Sequence, residues 1–354
     1  MKKPELIPVS VLTGFLGSGK TTVLNRVLKQ KGMENTAVIV NEFGEVGIDH
    51  LLVETALEGA MLLESGCVCC SIRGDLVDTL EMLRVRRDRG EIPRFDRVVL
   101  ETTGLADPAP VLQTLMKEPT VVRCYRLNGI VATVDAVNGL AQLDQEEIAL
   151  KQAALAGRLL LTKTDMARPE QIAKLEARLR ALNPGATVAH VINGEAAPGL
   201  LFDDGNYDPA VVGGDGDDWL PAATYQDHEH DHEQDHADHV HGDDIQTFCL
   251  SRDRPVSWPA LRTWLDSLTS LRGSDLLRVK GIVNTGDSGG PLILHGVQHV
   301  FHPPRRLADW PDGDRRTRIV CITRGIGRES LSNALEVSIG HHDNHGNHDK
   351  RNQG

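Results

Sequence analysis

Eight consecutive residues near the start of the chain have the types and spacing needed to bind a phosphate chain. Residues 14–21 read Gly-Phe-Leu-Gly-Ser-Gly-Lys-Thr, which completes the pattern G-x-x-x-x-G-K-[ST]. The glycines leave room for phosphates against the backbone, and successive N–H groups can form a nest for an anion. We expect Lys20 to reach the β- and γ-phosphates and the Thr21 hydroxyl to ligate Mg²⁺.

The flanking residues predict the strand and the helix that such a loop requires. Ile7–Thr13 is an apolar run typical of a buried strand, and apolar residues recur on one face of a predicted helix over Lys20–Lys31. The helix N-terminus would add positive partial charge beside the phosphates. This context favours a nucleotide site over a glycine-rich turn that contains Lys-Thr by chance. The predicted nucleotide-binding residues of the loop are Gly14, Gly17, Ser18, Gly19, Lys20, Thr21 and Thr22.

A second predicted strand ends in a carboxylate. Residues 98–104 read Val-Val-Leu-Glu-Thr-Thr-Gly. We expect Glu101 to hold Mg²⁺ or its bound water, and Gly104 to let the following loop sense the γ-phosphate. Lys20, Thr21 and Glu101 are therefore the predicted catalytic residues, with Thr21 and Glu101 forming the magnesium site.

A third strand end predicts which base is bound. Residues 159–165 read Leu-Leu-Leu-Thr-Lys-Thr-Asp. Asp165 can accept hydrogen bonds from both N1–H and N2–H₂ of guanine, which adenine cannot supply, and the stem of Lys163 can cover the base. GTP is therefore favoured over ATP. The alternative is a helix-capping Asp165 beside a surface Lys163.

Three thiols within four residues form a second candidate site. Gly66 precedes Cys67, Cys69 and Cys70 and allows the chain to curl. Zn²⁺ prefers tetrahedral thiolate and imidazole ligands, and a carboxylate, water or a partner protein could supply the fourth position. An incomplete ligand set suits a protein that gives its metal away. The alternatives are a redox pair of Cys67 and Cys69, or three buried structural thiols.

A histidine-rich segment is a further metal-binding feature. Its imidazoles alternate with Asp and Glu in a flexible stretch, which favours weak binding of Zn²⁺, Ni²⁺ or Co²⁺ at several places. A polar linker that only solvates the chain is the alternative. The predicted accessory ligands are His228, His230, His232, His236, His239 and His241.

Short apolar strands alternate with helical patterns from residue 7 to about residue 200. This alternation predicts an α/β fold with a mainly parallel sheet covered by helices, and a ligand at the carboxyl ends of the strands. The clearest helical pattern runs from Ile172 to Leu182, and Asn183-Pro184-Gly185 ends it. The predicted strands are Ile7–Thr13, Ala37–Val40, Val98–Leu100, Ile130–Val134, Leu159–Leu161 and Thr187–Val191.

We divide the chain into four parts. Residues 1–202 form the P-loop domain, 203–244 an acidic linker expected to be disordered, 245–340 a smaller α+β domain, and 341–354 a disordered tail with four histidines. The strands predicted in the smaller domain are Leu276–Val283, Leu292–His302 and Thr317–Thr323. A helix after the N-cap candidate Ser257 carries the apolar stripe Trp258, Leu261, Trp264, Leu265, Leu268 and Leu271.

The charge of the chain is unevenly distributed. The formal net charge is −12, but 14 of the 50 acidic side chains lie in residues 203–244, and the remainder has 36 acidic against 38 basic side chains. Such a balance lacks the basic footprint of a nucleic-acid-binding protein. No apolar run reaches the roughly 18 residues of a membrane span, and no secretory signal follows Lys3. Six cysteines without a signal indicate a reducing compartment, the cytoplasm.

Taken together, these motifs resemble those of the CobW-type family of P-loop GTPases, metallochaperone relatives of the GTPases that insert nickel into urease and hydrogenase. The resemblance spans nearly the whole chain. It includes the phosphate loop, the switch-like segment Asn41–Asp49, the motif Cys67–Cys70 and the segment Glu101–Gly104. Leu277–Gly281 and Val297–His299 resemble the pattern of the family's C-terminal domain.

The resemblance implies a GTPase whose nucleotide state controls capture and delivery of a metal, usually zinc and in some members cobalt. Glu42 would lie in the switch segment, close enough to sense Mg²⁺ or to join the thiolates. Thr162 departs from the family's base-recognition motif Asn-Lys-x-Asp, so one amide contact to the base and the loop is expected to be missing, while Asp165 remains. The implied partner is a client metalloprotein. The second domain would contact either this client or another protomer.

The leading hypothesis is a metal chaperone that hydrolyses GTP with Mg²⁺ and carries Zn²⁺, or Co²⁺ or Ni²⁺ in its place. One alternative is a metal buffer in which the histidine-rich segment stores the cation and the nucleotide is structural. Another is a P-loop kinase with a redox-sensing thiol cluster, against which Lys163 and Asp165 count. Steady-state phosphate release distinguishes the first two hypotheses.

Overall fold

A computed structural model describes residues 6–41, 61–64, 72–202, 245–287, 289–301, 304–311 and 313–349. Side chains are described throughout these ranges except at 41, 61–64, 72–75 and 343–349. The chain divides into two compact units, Met1–Val212 and Gly213–Gly354, each considered on its own below. Among the described helices, none combines the length and the apolar composition that crossing a bilayer requires.

The first unit contains a seven-stranded sheet whose neighbouring strands all run parallel, in the order β3-β2-β4-β1-β5-β6-β7. Its strands are β1 (Ile7–Gly14), β2 (Thr36–Asn41), β3 (Met61–Glu64), β4 (Arg97–Thr102), β5 (Tyr125–Asp135), β6 (Arg158–Thr162) and β7 (Thr187–Val191). The α/β prediction is confirmed. All six predicted strands are present, and β3 at the sheet edge was not predicted.

Helices connect the parallel strands, as parallel pairing requires. They are α1 (Lys20–Leu28), α2 (Ile72–Asp88), α3 (Ala109–Lys117), α4 (Pro119–Val122), α5 (Gly139–Gln145), α6 (Glu147–Leu155), α7 (Pro169–Leu182) and α8 (Gly199–Phe202). Val23, Leu24 and Val27 of α1 are fully buried against Leu12 of β1 and its neighbours. This packing fixes α1, and with it the phosphate loop, to the central strand.

Asn183 ends α7 as the sequence predicts, and its side chain has a second role. The amide Nδ2 donates to the carbonyls of Ala153, Ala154 and Ala156 at 2.9, 3.0 and 2.8 Å. These carbonyls lie at the C-terminal end of α6, where helical hydrogen bonds run out. The buried amide therefore joins the ends of two helices.

The second unit is an antiparallel sheet with two long helices. Its elements are β8 (Ile245–Arg252), α9 (Trp258–Arg272), β9 (Leu276–Val283), β10 (Leu292–Val297), β11 (Val300–Phe301), β12 (Arg305–Arg306), β13 (Thr317–Arg324) and α10 (Arg328–Asp349). The strand order is β11-β10-β9-β13-β8, with β12 also paired to β10. Trp264 is fully buried in the core and donates to the Leu331 carbonyl at 3.2 Å. Cys321 lies in this core.

Several details of the second unit differ from the sequence predictions. Ser257 does cap α9, but Leu271 is 80% exposed and does not belong to the buried stripe. The predicted strand over 292–302 is two strands, because Gln298 adopts a positive φ of 51° and turns the chain. β8 was not predicted. α10 continues to Asp349, past residue 341 where the sequence predicts a disordered tail.

Replacing Asn183 with Ala should lower the free energy of unfolding by about 1–3 kcal/mol, because three buried carbonyls lose their shared donor. Urea denaturation followed by circular dichroism measures this. Asn333→Ala, on an exposed position of α10, is the matched control and should change stability little. Equal effects of the two substitutions would show that the Asn183 amide does not stabilise the helix ends.

Candidate functional site: a phosphate loop at one edge of the sheet

The phosphate loop joins β1 to α1 and holds the Lys20 ammonium through backbone carbonyls. Gly14 and Phe15 accept hydrogen bonds from Lys20 Nζ at 2.9 and 3.2 Å. Lys20 is the first residue of α1 and is buried. Gly19 before it has φ of 90°, a left-handed conformation that favours glycine. The ammonium is thus fixed inside the loop, where phosphate oxygens could accept its hydrogen bonds.

Ser18 ties the loop to two neighbouring strands. Its hydroxyl donates to the Phe15 carbonyl at 2.7 Å and shares a 2.7 Å hydrogen bond with the Thr133 hydroxyl of β5. Its carbonyl accepts a hydrogen bond from the Thr162 hydroxyl at the end of β6, also at 2.7 Å. Thr162 therefore contacts the loop through its hydroxyl, at the position where the family's motif has an Asn amide.

Thr21 and Glu101, the two predicted magnesium ligands, are in hydrogen-bond contact. Thr21 Oγ1 donates to Glu101 Oε1 at 2.7 Å, although 80 residues separate them in the chain. Glu101 is only 3% exposed and lies opposite Leu12 in the parallel register of β4 and β1. Hydroxyl and carboxylate oxygens are ligands that Mg²⁺ prefers. The two side chains therefore fit a magnesium ion beside the phosphate loop.

The loop that follows β4 touches the phosphate loop at Gly104. A Cβ added to Gly104 would lie 2.7 Å from Leu16 N and 2.8 Å from Leu16 Cα, closer than real Cβ contacts come. The carbonyls of Gly104 and Ala106 each accept a hydrogen bond at 3.1 Å from the buried side-chain amide of Gln152 on α6. The loop after β4 is therefore held between the phosphate loop and α6.

Lys163 reaches back from the end of β6 to the phosphate loop. Its Nζ donates to the Gly17 carbonyl at 2.8 Å and to Asp135 Oδ2 at 2.7 Å. Asp165 is exposed, and Arg168, not Asp165, occupies the N-cap of α7. The alternative of a helix-capping Asp165 beside a surface lysine is therefore wrong. The remaining predicted loop residue, Thr22, is exposed on the first turn of α1.

Asp135 is a site residue that the sequence analysis missed. It ends β5, is 1% exposed, and also accepts hydrogen bonds from the Val137 and Asn138 backbone N–H groups and from the Asn138 side chain. A usable signal existed, since a carboxylate follows the predicted strand Ile130–Val134 as Glu101 follows Leu100.

The charge state of Asp135 follows from these contacts. Burial acts to raise the pKa of the carboxyl, but the hydrogen bonds from Lys163, Val137 and Asn138 hold that pKa below its usual value. The ionised carboxylate therefore stabilises the folded state fully above the ordinary aspartate pKa of about 3.9. That contribution is lost as the pH falls through the lower folded-state pKa.

Two sets of predicted metal ligands lie outside the described residues. They are the zinc ligands Glu42, Cys67, Cys69 and Cys70 and the accessory histidines His228, His230, His232, His236, His239 and His241. The strands that precede Glu42 and Cys67, β2 and β3, are described. Val40 of β2 is in register with Glu64 of β3 and with Glu101 of β4, so all three strands end at the same edge of the sheet. Within the described ranges, no group of three or more His, Cys, Asp or Glu side chains could hold a metal ion.

Comparison with known proteins gives matches to both units. The family model for the CobW/HypB/UreG nucleotide-binding domain matches residues 8–190, and that for the cobalamin synthesis protein cobW C-terminal domain matches residues 245–338. The zinc chaperone YjiA of Escherichia coli K12 is 35% identical over 324 residues, 90% of this chain and 94% of that protein. The zinc chaperone CobW of Pseudomonas aeruginosa is 29% identical over 374 residues, 96% and 93% of the two chains.

A solved structure is also similar along most of the chain. It is a crystal structure of a Zn(II)-bound triple mutant of the YjiA GTPase, in which one glutamate and two cysteines are replaced by alanine. It matches 94% of this chain and 98% of its own, with a TM-score of 0.69 and 29% identity.

Gly104→Ala should weaken binding of GDP and GTP together by about tenfold or more, because the new Cβ displaces Leu16 and the loop around it. Isothermal titration calorimetry measures both affinities. Gly32→Ala is the control: its φ of 93° disfavours alanine, but an added Cβ there meets no atom within 4 Å. It should lower stability and leave nucleotide affinity unchanged. Wild-type affinity in Gly104→Ala would contradict the importance of this contact.

Proposed function

This chain belongs to the CobW/HypB/UreG family of nucleotide-binding proteins, and we propose that it is a GTP-hydrolysing metal chaperone that delivers Zn²⁺ to a client metalloprotein. Its first unit binds Mg·GTP at residues 14–21 and carries the cargo metal on Cys67, Cys69 and Cys70, with Glu42 nearby. The similarity to proteins named zinc chaperones supports zinc as the cargo. Because thiolate ligands need reducing conditions, we place the protein in the cytoplasm.

The hydrogen bond between Thr21 and Glu101 is the observation that carries this proposal. It joins the phosphate loop to β4 at 2.7 Å, with the two oxygen ligands that a magnesium ion on GTP would use. Magnesium there would neutralise charge on the β- and γ-phosphates. Lys20 would hold the same phosphates, since its ammonium already lies at the Gly14 and Phe15 carbonyls.

The strand register supports a link between this magnesium site and the cargo site. Val40 lies between Glu101 and Glu64 in one row across β4, β2 and β3. In the sequence, Glu42 comes two residues after Val40, and Cys67 comes three residues after Glu64. A γ-phosphate beside Glu101 on β4 would therefore lie one strand away from the end of β2, which precedes Glu42. It would lie two strands away from the end of β3, which precedes Cys67.

Nucleotide control then follows from differential affinity. A ligand shifts a conformational equilibrium only to the extent that it binds the two conformations unequally. GTP and GDP differ at the γ-phosphate, beside Thr21, Glu101 and the Gly104–Leu16 contact. We expect the zinc affinity of the thiolates to differ between the two nucleotide states. Competition titrations of Zn²⁺, Co²⁺ and Ni²⁺ against a calibrated chelator, without nucleotide, with Mg·GDP and with a non-hydrolysable GTP analogue, test this.

Lys20→Ala should abolish tight GTP binding and lower steady-state phosphate release at least a hundredfold, because a cation is removed from a site built for phosphate. Phosphate release and nucleotide titration measure the two effects. Lys29→Ala removes the same charge from the exposed C-cap of α1 and should behave as wild type. Wild-type turnover in Lys20→Ala would overturn the catalytic assignment. No turnover of the wild type with client or metal present would favour the metal buffer.

Replacing Cys67, Cys69 and Cys70 with Ser should remove one tight, nucleotide-sensitive zinc site, because hydroxyls stay protonated at neutral pH and bind Zn²⁺ poorly. Deleting residues 227–244 should do the reverse and lower only the number of weakly bound cations. Chelator competition with GDP and with the GTP analogue measures both.

Nucleotide sensitivity is the decisive readout of this comparison. The related YjiA triple mutant is zinc-bound although two cysteines are replaced, so the presence of zinc alone does not identify the cargo site. Cys124→Ser combined with Cys249→Ser removes two half-buried thiols elsewhere and should leave the tight site intact. If the triple Ser variant keeps a tight zinc site that responds to GTP, the cysteine motif is not the cargo site.

A further inference from the structure

Asp135 is an unusually constrained carboxylate in the described part of the first unit. Its two oxygens accept four hydrogen bonds: from Lys163 Nζ at 2.7 Å, Val137 N at 2.7 Å, Asn138 N at 3.2 Å and Asn138 Nδ2 at 3.1 Å. The backbone N–H groups belong to residues just after the end of β5, so the carboxylate cannot rotate without breaking these hydrogen bonds. The anion is therefore fixed at the end of the strand.

The partner of this anion is the long, flexible side chain of Lys163. Lysine has four rotatable side-chain bonds, so ordering its side chain costs conformational entropy. Here the ammonium is held at both sides, by Asp135 Oδ2 and by the Gly17 carbonyl at 2.8 Å. The backbone of Lys163 is also strained, with φ of 56°. These two contacts hold the side chain in one arrangement.

The electrostatic setting makes Asp135 the stronger of the two anchors. The aspartate side chain is 2% exposed and that of Lys163 is 36% exposed, so the pair is partly shielded from water and from salt. The carbonyl of Gly17 is a neutral acceptor in a loop, whereas the Asp135 carboxylate adds the attraction of a full opposite charge at 2.7 Å. Removing the carboxylate would leave Lys163 with a single contact to a loop.

We infer that Asp135 is a positioning residue for recognition of the guanine base: it holds Lys163 across Gly17, so that the lysine stem forms one fixed wall of the base site beside Asp165. This inference rests on the proposed binding of GTP. It assigns part of base selectivity to a residue on β5, outside the segment Thr162–Asp165 that carries the base-recognition motif. Loss of Asp135 should therefore weaken the binding of guanine nucleotides more than that of adenine nucleotides with the same number of phosphates.

The test compares GDP with ADP, which make the same phosphate contacts, by calorimetric titration of the full chain. Asp135→Asn keeps the shape of the side chain but replaces the anion facing Lys163 with a neutral amide. We expect the Kd for GDP to rise about tenfold while the Kd for ADP changes less than twofold. A purely structural role would weaken both nucleotides equally, and an equal loss would overturn the inference.

A double-mutant cycle shows whether Asp135 acts through Lys163. Lys163→Met keeps the apolar stem without the ammonium and should also lose selectivity for GDP. Asp135→Asn added to Lys163→Met should have less than a twofold further effect, since the contact it removes is already gone. Full additivity of the two losses would show that Asp135 acts independently of Lys163 and would contradict the inference.

Two further variants keep the result interpretable. If Asp135→Asn does not fold, Asn138→Ala replaces it, because it removes one of the four donors to the carboxylate without changing its charge. It should lower the GDP-to-ADP selectivity about threefold, and an unchanged ratio would overturn the inference.

Asp165→Asn tests the proposed function separately. If the wild type and Asp165→Asn show no preference for GDP, guanine recognition itself fails, whereas selectivity lost in Asp165→Asn and kept in Asp135→Asn contradicts only the role of Asp135.

Discussion

Parallel pairing of β1 with β4 on one side and β5 on the other is the constraint on which the site depends. Leu12 is in register with Glu101, and Gly14 with Thr133, so the three strands end level at the phosphate loop. Side chains that are distant in sequence meet there because the carboxyl ends of parallel strands share one edge. A slip of one residue in β4 would turn Glu101 to the other face of the sheet and remove its contact with Thr21.

The phosphate loop is held chiefly through its carbonyl groups. Gly14 and Phe15 accept hydrogen bonds from Lys20, Gly17 accepts one from Lys163, and Ser18 accepts one from Thr162. Carbonyl oxygens would repel a phosphate, and each of these is engaged with a donor. The loop is therefore ordered by protein groups in the form that an anion requires, which lowers the entropy that binding must otherwise remove.

The chain separates its two proposed metal sites by ligand chemistry. Thr21 and Glu101 offer hard oxygen atoms that suit Mg²⁺, while three cysteines offer soft thiolates that suit Zn²⁺. One nucleotide-binding unit can thus hold a magnesium ion and a zinc ion without either readily replacing the other. The strands β2, β3 and β4 end at one edge of the sheet, which carries Glu101 and precedes both segments of the proposed zinc site.

Local sequence patterns determined much of this protein. The phosphate loop is recognisable because its glycines, lysine and threonine act within one short segment, and α7 and its end at Asn183 follow from period and capping. The six predicted strands are short, mainly apolar segments. The edge strands β3 and β8 were not predicted, because a segment of four to eight residues does not by itself distinguish an edge strand from a loop.

Only the tertiary structure decided which side chains meet. The Thr21–Glu101 contact, the roles of Thr162 and Gln152, and the Asp135–Lys163 pair each join residues between 28 and 144 positions apart. No local pattern encodes such distances, because they depend on the strand order, which the sequence left open. Thr162 illustrates the difference: its sequence position suggests a lost amide, while the fold places its hydroxyl 2.7 Å from the Ser18 carbonyl. The sequence determined the chemistry available at each strand end, and the parallel register decided which of those groups act together.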